Sequence, residues 1–205
     1  MKSNKILIVG AGGHARSCID VIEQNKKFKI VGLIDKKKQY KFKIFNYPII
    51  GTNKDLKRLS NKIPYVLIGV GQIKKSEIRK NLFKEVIAAG FKLPTIISPQ
   101  AYVSPHAKIA EGTIIMHGAI VNANAKIGKN CIINSRSLVE HDVVIGDHCH
   151  LATSSVLNGG VNLGSGSFVG SGAIIKEGLK VGQNCIISAN KFLFKNLKSN
   201  KIYKY

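Results

Sequence analysis

The sequence predicts a small Rossmann-like α/β domain followed by a parallel β-helix built from hexapeptide repeats. Three observations carry this. An aliphatic residue recurs every six positions from Ile97 to Ile187, small residues and turn formers sit at fixed offsets inside each period, and the chain opens with a strand, a glycine loop and a helix.

Along the chain, Lys5 to Val9 reads as a short apolar strand. It enters Gly10-Ala11-Gly12-Gly13-His14-Ala15 and a helix from Arg16 to about Gln24. Phe28 to Ile34 is a second strand ending at Asp35. A short segment around Ile49 follows, then a helix from Asn53 to Leu59. Tyr65 to Val70 is a third strand ending at Gly71, and Ser76 to Ala89 has helical spacing with Ser76 as its N-cap. Strands alternating with helices imply a doubly wound parallel sheet. The Gly10 loop fits Gly-x-Gly-x-x-Ala, with Asp35 about twenty residues on. Amides at such a helix start would hold phosphate, and the carboxylate would take a ribose or base edge. Only half of a dinucleotide fold is present, so a mononucleotide is expected rather than NAD. A tight turn with no ligand is the alternative.

From Ile97 the period changes. Ile, Leu or Val stands at sixteen successive sixth positions, through Val103 and Ile109 to Ile187. Six is the period of neither an α-helix nor an alternating strand. It is that of a parallel β-helix in which each hexad forms one side of a coil. Four residues after each aliphatic up to Val181 the side chain is compact, as at Ala101, Thr113, Cys131, Ser167 and Cys185; only Leu179 is larger. One large and one small inward residue per side closes three sides into a narrow prism. Three residues after the aliphatic, Gly or Asn recurs, as at Gly118, Asn124, Gly160 and Asn184, where corners need positive φ. Sixteen hexads give about five coils without a long loop. The division is residues 1–96 for the α/β domain, 97–189 for the β-helix and 190–205 for a basic tail.

The formal charge is +21, yet residues 97–189 contribute only +1, against +15 from residues 1–96 and +5 from the tail. Four of the 32 basic residues are Arg. Nucleic-acid binders lean on Arg and interleaved aromatics, so no nucleic-acid partner is expected. A lysine-rich, AT-biased genome is the plainer reading of the charge; the functional one is attraction of anionic small molecules such as nucleotides or coenzyme A. No apolar run reaches membrane-spanning length, and Ile6 to Val9 is too short for a signal core, so a cytoplasmic protein without a membrane partner is expected. Cys131, Cys149 and Cys185 fall at the compact inward position and Cys18 in a helix, which makes them structural thiols.

His106 and His148 fall at corners, His117 at a turn and His14 in the glycine loop. His141 stands between Glu140 and Asp142. Residues eighteen apart stack on adjacent coils, which sets Ala123 and Gly159 beside it and leaves open space around the ring. Such a histidine is suited to general-base work near neutral pH; an exposed turn residue has the same pattern. His150 lies half a coil away and would share a site with His141 only across a subunit boundary, as threefold packing of prisms allows.

The hexads with Glu140-His141-Asp142, Ile145-Gly146-Asp147, His150 and Gly159-Gly160, behind a Gly-Ala-Gly-Gly-His loop, resemble bacterial sugar acetyltransferases of the NeuD/PglD type over nearly the whole chain. The resemblance implies a homotrimer of left-handed β-helices using acetyl-CoA, with no metal. It implies His141 as catalytic base, Asp142 as the acid tuning it, and Gly159 N–H as oxyanion donor. It implies His150 at the acetyl-CoA end of the site, and Ser171 and Ala189 along the coenzyme groove. It also implies Gly12, Gly13, His14, Asp35 and Gly71 holding a nucleotide-linked amino sugar. The expected reaction is direct N-acetylation of that amine for surface glycan synthesis, since the inward cysteines leave no evident nucleophile. O-acetylation of a sialic-acid-type sugar is the alternative. A zinc hydratase would need three interface histidines, and the spacing of His141, His148 and His150 does not match that pattern. The chain departs from the family at its end, stopping at Lys201-Ile202-Tyr203-Lys204-Tyr205 without a Pro-Ala-Lys-like segment, which bears on contacts to the distal part of coenzyme A.

Overall fold

The computed structural model describes residues 4–36, 43–73 and 75–204. Backbone contacts divide the chain into two compact units. The first holds the residues up to Gly71 together with Glu77–Ile96; the second holds Gln72–Ser76 together with the chain from Ile97.

In the first unit β1 (Lys5–Val9) is central. It pairs in parallel with β2 (Lys29–Ile34) and with β5 (Tyr65–Ile68). The hairpin of β3 (Lys43–Ile44) and β4 (Tyr47–Gly51) extends the sheet beyond β2, giving the order β3-β4-β2-β1-β5. The chain therefore leaves β1 for one neighbour and later returns to the other side, which opens a crevice at the carboxyl ends of the strands. Helix α1 spans Gly13–Asn25, three residues earlier than its propensity suggests. Glycine counts against a helix in a local reading; here the glycines form the first turn. A short 3-10 turn at Asn53–Asp55 leads into α2 (Leu56–Ser60), and α3 spans Glu77–Ala88. Strand β5 stops two residues before the expected end. The buried Arg79 guanidinium takes over there, donating to the carbonyls of Ile68 (3.0 Å) and Val70.

The second unit is a left-handed parallel β-helix. Its two-residue strands form three sheets of six, five and seven strands, those up to Leu193 pairing with one another at a spacing of eighteen residues, as Ile120 with Leu138 and Val144 with Asn162. The aliphatic column from Ile115 to Ile187 is buried, and the compact column packs against it. Corners are left-handed at all fourteen sixth positions from Gly112 to Asn190, including Arg136, Asp142, His148 and Ser154, which are neither Gly nor Asn. His106, at the same offset in the first coil, is not left-handed.

The compact column is also a hydrogen-bonding device. Thr113, Cys131, Cys149, Ser167 and Cys185 stack eighteen residues apart. Thr113 Oγ1 accepts Cys131 N–H (2.9 Å), Cys131 Sγ accepts Cys149 N–H (3.4 Å) and Ser167 Oγ accepts Cys185 N–H (3.0 Å). The same side chains donate to the carbonyls of Gly128, Gly146, Gly164 and Gly182 and, from Cys185, to that of Lys198. Buried backbone groups need partners, so a small residue with a polar atom is favoured here over alanine. All four cysteines are buried. Burial pushes the Cys18 thiol up to about 12 and raises Cys149 well above the ordinary thiol range, so neither is a ready nucleophile.

The residues expected to form a separate basic tail instead continue the prism. Phe192–Leu193 pairs with Ile174–Ile175, and Ile202–Tyr203 pairs with Ile186–Ile187. Leu193 is fully buried and Tyr203 nearly so. Leu193, six residues past Ile187, keeps the period, which lapses only after it; the exposed end of the prism still needs apolar cover, and Leu193 and Tyr203 supply it.

Candidate active site

The prism has three edges, and one carries His141. The fold brings it there because Asp142 turns the corner at φ 62°. Asp142 N–H donates to Ala123 O (3.1 Å), and His141 O accepts Gly160 N–H (3.0 Å). Those two bonds fix the backbone between the neighbouring coils. The imidazole Nδ1 lies 2.8 Å from Asp142 Oδ2, while Asn124 Nδ2 donates to Asp142 Oδ1 at 2.7 Å. Glu140 accepts the His141 backbone N–H at 3.2 Å and the Asn122 amide at 3.0 Å.

The electrostatics follow. The His141 hydrogen bond, then that of Asn124, holds the Asp142 carboxyl below the usual range, so it is ionised at neutral pH. The Asp142 hydrogen bond, with the charges of Asp142 and Glu140, raises the His141 pKa against a smaller opposing desolvation. An ionised carboxylate can only accept, so Nδ1 carries the proton and Nε2 presents a lone pair. His141 is 65 % exposed.

Gly159 lies on the next coil. A Cβ there would stand 2.7 Å from His141 Cε1 and 2.8 Å from Nε2. No such atom fits at that distance, so the ring occupies the space that a side chain would fill. The Gly159 N–H makes no hydrogen bond among the described residues. His141, Asp142 and Gly159 are thus one site.

His150, Ser171 and Ala189 are elsewhere in the same chain. Ser171 and Ala189 are exposed on a different edge, on adjacent coils, linked by Asn190 N–H donating to Ser171 O (2.8 Å). His150 lies on the flat side next to that edge. It is nearly buried, with Nδ1 against Gln72 O, Nε2 3.3 Å from Asn134 Nδ2 and its ring edge-on to Phe168. Gln72 and its neighbours pack with this unit, and no hexad signal marks them.

In the first unit, Gly12, Gly13, His14, Asp35 and Gly71 line one cleft of about 260 Å³ at the carboxyl ends of β1, β2 and β5. Gly10 adopts φ +102°, and a Cβ there would meet Val70 Cγ2 at 2.6 Å. Gly12 caps α1 with no side-chain hydrogen bond, and a Cβ on Gly12 or Gly13 would meet nothing within 4 Å. The start of α1 therefore opens onto the cleft without side chains in the way, as an anion site at a helix start requires. Lys36, Asn53, Ile78 and Leu82 also line the cleft and were not singled out from the sequence. Asn53 could have been found from its position just past β4, at the same strand ends. Among the described residues no group of three or more His, Cys, Asp or Glu is placed to hold a metal ion, and no helix is long and apolar enough to cross a membrane.

The fold and the corner site define a hexapeptide-repeat protein of the bacterial transferase class. Residues 5–86 match the PglD N-terminal domain. Residues 124–159 match the bacterial transferase hexapeptide (six repeats), and residues 142–177 and 160–195 the hexapeptide repeat of succinyl-transferase. The chain thus joins a PglD N-terminal domain to bacterial transferase hexapeptide repeats, in that order. It is 33 % identical over 116 residues to the UDP-N-acetylbacillosamine N-acetyltransferase of Bacillus subtilis (strain 168). That match covers 54 % of this chain and spans half the length of the relative. Among solved structures, a perosamine N-acetyltransferase of Caulobacter crescentus, determined as a histidine-to-asparagine variant with CoA and GDP-perosamine, superposes with a TM-score of 0.91 at 28 % identity. The match covers 97 % of this chain and 92 % of that one. The acetyltransferase domain of PglB from Neisseria gonorrhoeae, in complex with acetyl coenzyme A, gives 0.89 at 28 %, covering 96 % and 93 %.

Proposed function

We propose that this protein transfers the acetyl group of acetyl-CoA to the amino group of a nucleotide-linked amino sugar, in the cytoplasm, for surface glycan synthesis. The observation that carries the reading is the His141–Asp142 pair, with Nε2 open above a coil that has no side chain at Gly159. The relatives support an amine as acceptor, since each is an N-acetyltransferase or acetyltransferase domain and none is described as acting on sialic acid. The first unit's cleft, with its open helix start and Asp35, suits the nucleotide.

In this reading His141 Nε2 accepts a proton from the sugar amine as the nitrogen bonds to the acetyl carbonyl carbon. Asp142 holds Nδ1–H and offsets the imidazolium charge. Gly159 N–H donates to the developing oxyanion. The C–S bond breaks, and His141 returns its proton to the departing thiolate. Each residue ends as it began.

The working assembly is a homotrimer. On the prism side flanked by both the His141 edge and the Ser171–Ala189 edge, an outward ladder runs Tyr102, Ile120, Leu138, Val156, Ile174, Phe192. Four of these are substantially exposed: Tyr102, Ile120, Ile174 and Phe192. The neighbouring side presents Lys108, Lys126, Val144, Asn162 and Lys180. An apolar strip of this length supports burial against a second copy. Such packing would set one chain's His141 against the next chain's Ser171 and Ala189.

A thiol-release assay with acetyl-CoA tests the reading against a panel of nucleotide-linked amino sugars and sialic acids. Turnover with an amino sugar and none with sialic acids is expected. Turnover confined to sialic acids, or none with any acceptor, would overturn it.

A further inference from the structure

The His141 edge of the prism ends in a feature that the reaction above leaves unassigned. That edge continues through Gly159 and Glu177 to Lys195, one coil at a time. At the last step the register breaks. Ile175 pairs with Leu193, eighteen residues on, but Val181 pairs with Leu197, sixteen on. Two residues are missing from this corner, and Asn196 Oδ1 accepts Lys180 N–H (2.8 Å). Phe194 and Lys195 project at the shortened turn. Phe194 is 57 % exposed, and Lys195 Nζ stands 5.9 Å from its ring centroid. Phe192 lies 6.5 Å away, ring to ring. A cleft of about 420 Å³ is lined by Lys191, Phe192, Phe194, Lys195 and Tyr203. Its floor is firm, because Tyr203 is nearly buried and its hydroxyl donates to Phe192 O (3.1 Å). From Asn190 onward the chain carries five lysines and no acidic residue.

An exposed aromatic face ringed by lysines suits a base carrying phosphates: the base stacks, and the cations take the anions. Its place along the edge gives the identity. Three coils separate Lys195 from His141, about 14 Å at the usual strand spacing of about 4.8 Å. The pantetheine arm of coenzyme A, from sulfur to the first phosphorus, has about as many bonds as four residues of extended chain, again about 14 Å. A thioester at His141 would bring the nucleotide end to this cleft.

On the reading of the reaction given above, we propose that Lys191, Phe194 and Lys195 clamp the 3′-phosphorylated adenine nucleotide of coenzyme A. Phe194 takes the adenine face and the two lysines take the phosphates, the 3′-phosphate included.

Calorimetric titration of the intact protein with CoA, 3′-dephospho-CoA and pantetheine tests this. The wild type should bind CoA about tenfold more tightly than 3′-dephospho-CoA, as charge-assisted phosphate contacts give. Phe194→Ala should weaken both nucleotides by about ten- to a hundredfold and leave pantetheine unchanged. The double variant Lys191→Ala/Lys195→Ala should erase the preference for the 3′-phosphate. Circular dichroism and sedimentation check that each variant keeps its fold and assembly. If the wild type binds CoA and the variants bind it equally well, the clamp alone is overturned. If the wild type binds no form of CoA, the reaction itself is misassigned.

Discussion

Replacing Gly159 by Ala isolates the geometry of the proposed base. The glycine is not left-handed, so alanine meets no backbone penalty. The N–H offered to the oxyanion is retained. What changes is the added Cβ, 2.7 Å from His141 Cε1 and 2.8 Å from Nε2. Ordinary carbon contacts lie at about 3.5–4.0 Å, so the ring must move by about 1 Å. It is exposed and free to do so, which keeps the stability cost within about 0.5 kcal/mol. A displacement of that size in a catalytic group costs about a hundredfold in rate, or about 2.7 kcal/mol in activation free energy. Steady-state thiol release with acetyl-CoA and the accepted amino sugar would show the loss in kcat/KM, beside an unchanged melting temperature. A variant with wild-type kcat/KM would mean that ring position at this corner does not control the chemistry.

Three further perturbations separate the parts of the account. His141→Ala should lower turnover by about a hundred- to ten-thousandfold while acetyl-CoA binding, followed by titration, stays nearly intact. Asp142→Asn removes the charge and the charge-assisted hydrogen bond that raise the His141 pKa, leaving at most a weaker neutral one; the acid limb of the kcat/KM profile should move to lower pH and the plateau should fall, because the base is weaker. An unmoved limb would separate Asp142 from the titration of His141. Leu193→Ala should destabilise the prism by about 2–5 kcal/mol in denaturant unfolding, since this fully buried side chain belongs to the closing coil; a loss below about 0.5 kcal/mol would mean that residues beyond Asn190 are dispensable to the fold.

The prism was legible because its sterics are strictly local: one large inward residue, one small one and one left-handed corner repeat in every hexad, and each leaves a mark in the sequence. Stacking at eighteen residues follows from that period, so the Gly159 neighbour of His141 was readable too. Arg136 and Ser154 were not readable as left-handed corners, because the strain is imposed by flanking coils and not by the residue type. The closing coil was hidden for a related reason. Leu193 still falls on the repeat, but the coil then loses two residues at Asn196 and closes with Tyr203, which lies off it. The polar role of the Thr113–Cys185 column was missed because compactness alone explains those residues in a sequence. Gln72 is invisible in any window, since it meets His150 across 78 residues of chain. Helix α1 began early because packing overrode the low helix propensity of Gly13.

The central claim is that one chain's imidazole works against the coenzyme edge of the next, and mixing two disabled proteins tests it. His141→Ala keeps the coenzyme edge and lacks the base; Ala189→Trp keeps the base and blocks the edge. Each alone should be inactive. Unfolded together in equal amounts and refolded, they should recover about a quarter of wild-type activity, the share of seams that pair an intact base with an intact edge. No recovery from mixed, correctly assembled protein would place base and coenzyme in a single chain and contradict the account.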